Sequence, residues 1–147
     1  MNKQNQELQK AGLKVIKKPD NSPVTNGDIE VDKMLKGKIK EIASKYLDEK
    51  KALNISVLNL LKLSSISDYF IIATGINKPH LKALYEGIQF ELKNLGLSCY
   101  DRNGIPDSGW PIIDIQGIMI HIFDKQQRDY YNLELLWKDA SIVKVEL

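Results

Sequence analysis

Residues Ser64–Gly75 read SSISDYFIIATG. Tyr69–Ala73 is an unbroken aromatic and β-branched run, the composition of a strand covered on both faces. Ser64, Ser65, Ser67 and Asp68 stand before it, Thr74 and Gly75 end it, and a helical pattern begins near Lys78. A buried strand with polar groups at both ends, feeding a helix, is the usual centre of an α/β domain. The polar cluster either does chemistry or makes a turn.

Downstream, Leu81, Leu84, Tyr85, Ile88, Leu92 and Leu95 form an apolar stripe, predicting a helix over Lys78–Leu95. Pro79 falls in its first turn and Gly96 just past its end. Upstream, Asp28 is the expected N-cap of a first amphipathic helix with apolar positions from Val31 to Leu47. Ile55–Leu61 reads as a strand close enough in sequence to pair antiparallel with Tyr69–Ala73. Leu97–Tyr100 reads as a short strand, and Asp101–Gly109 as turns. Trp110–Asp114 and Ile118–Phe123 form a hairpin, and Asp124–Trp137 makes one helix or two short ones. Val143–Val145 is left as a terminal strand or an irregular end. The expected fold class is α/β (α+β), a mixed sheet of about five strands flanked by helices.

Composition narrows the function classes. A 43% hydrophobic and 27% charged chain of 147 residues is that of one soluble globular domain. No apolar run approaches the roughly 18–20 residues that span a bilayer, so no membrane segment is expected. The first residues carry no apolar core of a secretory signal, and the single Cys99 fits a reducing cytoplasm. Residues 1–27 hold five lysines against Glu7 and Asp20, whereas residues 28–147 are close to neutral. We therefore expect a flexible extension over 1–27 and a folded domain over 28–147. RNA contact is expected only through that basic extension.

Catalytic constellations are sparse. His80 and His121 lack a second ligand at metal spacing, so neither a metal nor a cofactor is expected. His121, within IMIHIF, is expected to pack or bond between strands. No Gly-x-Ser-x-Gly elbow or phosphate-binding glycine loop is present. A nucleotidyltransferase-like enzyme is the rival class, but it needs two strand-borne carboxylates for magnesium. The only such pair is Asp28/Glu30 at a helix start, and Asp68 stands alone in sequence. Tyr69, Trp110, Tyr130, Tyr131 and Trp137 together exceed what a domain of this size must bury, which favours a binding module over an enzyme.

Four motifs carry a resemblance. SSISDYFIIATG, NKPHLKAL, WPIIDIQGIMIHIF and RDYYNLELLWKDA, in this order and spacing, resemble the ribosomal silencing factor (Iojap-like) family over about residues 30–140. The matching positions include Ser65, Asp68, Tyr69, Phe70, Thr74, Gly75, His80, Trp110, Asp114, His121, Arg128, Tyr131, Glu134 and Trp137. Two departures stand out: Ile115-Gln116-Gly117 replaces the family's Tyr-Gly-Asp, and Asn103-Gly104 lacks the usual acidic residue. The resemblance implies a nucleotidyltransferase-like sandwich without an active site. It also implies a translational repressor that binds large-subunit ribosomal protein fourteen (uL14) and sterically blocks subunit joining when nutrients are short. It makes Tyr69, Trp110, Tyr131 and Trp137 the expected anchors, shaped or braced by Asp68, His80, Asp114, Arg128 and Glu134. Some relatives dimerise, so a homodimer is also open.

Overall fold

The computed structural model describes residues 25–97, 99–101 and 109–143. Most of the expected extension over 1–27, and the turn-rich segment before Gly109, lie outside the described residues. Helix α1 (Asn26–Glu49) opens earlier than expected. Its N-cap is Thr25, whose hydroxyl accepts from the Asp28 amide while the Asp28 carboxylate accepts from the Thr25 amide. Asp28 is thus the third residue of a capping box, not the cap itself.

Strands β1 (Leu53–Asn59) and β2 (Tyr69–Thr74) pair antiparallel, as the short link between them requires. Helix α2 (Lys78–Lys93) is capped by Asn77 and carries Pro79 in its first turn. β3 (Tyr100–Asp101), β4 (Ile112–Ile115) and β5 (Ile118–Phe123) follow. Two short helices, α3 (Lys125–Tyr131) and α4 (Leu133–Leu136), meet at Asn132, whose φ of 44° breaks the helix between them. β6 (Ser141–Ile142) ends directly before the expected terminal segment Val143–Val145, of which only Val143 is among the described residues.

The mixed sheet runs β3-β4-β5-β2-β1-β6, with β2 and β5 parallel and the other pairs antiparallel. Side chains alternate between its faces. Ile71 and Ala73 of β2, Ile118, Ile120 and Ile122 of β5, and Ile113 and Ile115 of β4 meet α1 and α2 on one face. Ile39, Ala43 and Leu47 of α1 and the α2 stripe Leu81, Leu84, Ile88 and Leu92 are fully buried there. Phe70, Ile72, Met119 and Phe123 point to the other face, where Trp110, Leu133 and Trp137 cover them. Both faces of β2 and β5 are therefore covered, which explains their continuous apolar composition.

Candidate functional site

The polar group before β2 is a brace. The Asp68 amide donates to the Gly117 carbonyl at 2.7 Å, and the Leu60 amide donates to the Asp68 carbonyl at 2.8 Å. The Ser67 hydroxyl donates to the same Gly117 carbonyl at 2.8 Å. Gln116 and Gly117, with φ of 51° and 78°, form the left-handed pair of a two-residue hairpin turn. A side chain at 117 would stand 2.8 Å from the Asp68 carboxylate, so glycine also admits Asp68. The Asp68 side chain is 1% exposed and forms an ion pair with Lys36 of α1, which also binds Asp32 at 2.7 Å. Burial lowers the Lys36 pKa, but its bonds to Asp32 and Asp68 outweigh this and hold it above the ordinary lysine value. Beside it, Lys40 lies 3.6 Å from the centroid of the Tyr69 ring, a cation–π contact. Burial, then the Lys36 charge, lowers the Lys40 pKa.

A second brace sits at the opposite end of β2. Arg128 donates to Thr74 Oγ1 and Glu134 Oε1, both at 2.9 Å, tying α3 and α4 to the strand end. His80 engages both ring nitrogens: Nδ1 accepts from the Ile76 amide at 2.9 Å, so Nε2 carries the hydrogen facing the Lys50 carbonyl at 2.7 Å. That ring clasps the end of α1 to the turn leading into α2.

The aromatic residues gather on the sheet face away from α1 and α2. Trp110 stacks on Phe123 at 4.8 Å between centroids and meets the Tyr131 ring at a tilt of 41°, with centroids 4.5 Å apart. Its indole Nε1 donates to His121 Nδ1 at 3.0 Å. His121 stands edge-on to Phe70, which in turn meets Trp137 edge-on. Burial drives the His121 pKa down to about 3. Around these rings, α3 and α4 expose Tyr130 (80%), Leu135 (64%) and Leu136 (70%). Asp114 of β4 pairs with Met119 in the adjoining hairpin.

The nine residues singled out from sequence therefore fall into separate groups. Trp110, Tyr131 and Trp137 share one face, joined through Phe70 and His121. Tyr69 is not with them: it packs into the core on the opposite face, under Lys40. Asp68, His80, Arg128 and Glu134 are tied into intramolecular contacts, and Asp114 stands in β4 opposite Met119. Lys36 and Asp32 join the Asp68 site without belonging to any motif of the sequence. Their signal is that charged Lys36 interrupts the buried stripe continued by Ile39 and Ala43.

Gly109 sets the approach to Trp110. Its φ is 76°, and an added Cβ would lie 2.5 Å from Asp124 Oδ2. Gly109→Ala is expected to cost about 1–3 kcal/mol, from backbone strain plus overpacking, in a urea unfolding curve. A loss below a few tenths of a kcal/mol would contradict this tight approach.

Comparison with known proteins agrees with this architecture. Residues 34–147 match the family model described as "Ribosomal silencing factor during starvation". The ribosomal silencing factor of Halalkalibacterium halodurans is 32% identical over 106 residues, 72% of this chain and 91% of that protein. The Bacillus subtilis protein of the same name is 31% identical over 108 residues, 74% of this chain and 92% of its own. A crystal structure of a Chromobacterium violaceum protein superposes with a TM-score of 0.66 at 28% identity, covering 76% of this chain and 92% of that one.

Proposed function

This chain belongs to the ribosomal silencing factor family, and from that premise we propose that it represses translation by docking on the large ribosomal subunit. The docking face is the Trp110–Tyr131–Trp137 cluster, its partner is large-subunit ribosomal protein fourteen, and the bulk of the bound domain keeps the small subunit away. This action is steric and non-enzymatic. The observation that supports it is the exposed apolar border of Tyr130, Leu135 and Leu136 around half-buried rings, the make-up of a protein interface. A nucleotidyltransferase reading lacks such support, because Asp68 and Asp32 both bind the Lys36 ammonium.

Co-sedimentation with isolated large subunits tests the proposal. Trp110→Ala is expected to stay folded and to bind about 30-fold more weakly, equivalent to roughly 2 kcal/mol. Unchanged pelleting of that variant removes Trp110 from the interface, and failure of the wild type to pellet rejects large-subunit docking. Binding carried instead by the lysines of residues 1–27 would fall steeply with salt and vanish on their removal.

A further inference from the structure

Resting on the docking proposal above, we infer that His121 is a positioning residue for the Trp110 anchor. It touches no partner, being 3% exposed. Its Nδ1 accepts the Trp110 indole hydrogen, so its Nε2 must carry the remaining hydrogen of the neutral ring. Among the described residues that Nε2 is buried without a hydrogen-bond partner.

This is a costly way to fill a core. The surroundings are Phe70, Trp110 and Phe123, and an aliphatic side chain would pack there without leaving a buried donor unmet. What an aliphatic side chain does not supply is an acceptor for the indole. Stacking on Phe123 and the tilted contact with Tyr131 restrain the plane of the Trp110 ring but leave its in-plane orientation free. The bond to Nδ1 fixes that orientation and thus which indole edge faces outward. The geometry is also reachable only through the sheet: the register sets His121 beside Ile112, two residues after Trp110. An anchor held in its bound orientation before encounter loses less freedom on binding, which raises affinity without any new contact.

The test is a double-substitution cycle on the full chain. His121→Leu removes the acceptor and keeps the site apolar; Trp110→Phe removes the donor and keeps a ring. His121→Leu is expected to weaken large-subunit binding roughly three- to tenfold and to expose the Trp110 indole N–H to rapid solvent exchange in NMR spectra of the free protein. In the Trp110→Phe background the same change should weaken binding no further, because its effect passes through the indole. His121→Gln, which keeps an acceptor, should restore part of the protection and affinity, and remains informative if the leucine variant does not fold. Full affinity for folded His121→Leu, or an equal loss in both backgrounds, overturns the inference. Wild-type protein that fails to bind rejects the docking proposal instead, while indole exchange in the free protein still decides whether His121 holds Trp110.

Discussion

Lys36→Met is expected to lower the unfolding free energy by roughly 3–5 kcal/mol, the range for removing one partner of a buried ion pair. Asp68 is 1% exposed and Lys36 is largely covered, so methionine replaces the stem but takes the ammonium away from a buried carboxylate. The damage is local to a junction on which much depends. Asp68 sits where the β1–β2 link, the β4–β5 turn and α1 meet, and its backbone is bonded to Leu60 and Gly117. Urea unfolding at neutral pH measures the effect, with an unchanged slope showing that the compactness of the end states is preserved. A second change, Asp68→Leu, should recover part of the loss by removing the buried charge that has lost its ammonium. A loss under about 1 kcal/mol for Lys36→Met would place the pair in the class of exposed ion pairs and contradict the brace.

Acid should destabilise the wild type through His121 over a defined window. The unfolded imidazole takes up its proton near pH 6.5, whereas the folded one resists until about pH 3 because charge would be buried among aromatic rings. Between those values the unfolded state binds more protons, so stability falls as pH falls. The slope is about 1.4 kcal/mol per pH unit, which amounts to roughly 2–3 kcal/mol between pH 6.5 and 4.5. Carboxylates titrate below this range and at its lower end, so the quantity to measure is the difference between wild type and His121→Leu. That difference should shift against the wild type by this amount as pH is lowered. Parallel stability curves for the two proteins would show that His121 is not held neutral by the fold.

The elements were legible where local composition and period were decisive. The unbroken run Tyr69–Ala73 announces a strand buried on both faces, and the stripe from Leu81 to Leu92 with Pro79 announces α2. The first helix starts at Asn26, capped by Thr25, because Thr25 and Asp28 satisfy each other's amides, a reciprocity that Asp28 alone does not reveal. The parallel pairing of β2 with β5 is not legible, since α2, β3 and β4 lie between the two strands in sequence. The site was legible in its parts and not in its assembly. Trp110, Tyr131 and Trp137 could be picked out as surplus aromatics, but their union depends on Phe70 and His121, which alternate with core residues in their strands. Tyr69 looked equivalent to them in composition. Its neighbour Phe70 points to the aromatic face, so the pleat turns Tyr69 to the other. Lys36 and Asp68 belong to elements far apart in sequence, and only tertiary packing brings the ammonium to the carboxylate.

Subunit joining followed by light scattering tests the central claim most directly. Purified large subunits preincubated with this protein, then mixed with small subunits at a magnesium concentration that favours joining, should give a scattering rise that falls with protein concentration and saturates. Trp110→Ala should need about 30-fold more protein for the same inhibition, in line with an anchor worth roughly 2 kcal/mol. A full scattering rise in the presence of saturating, large-subunit-bound wild type would contradict steric silencing.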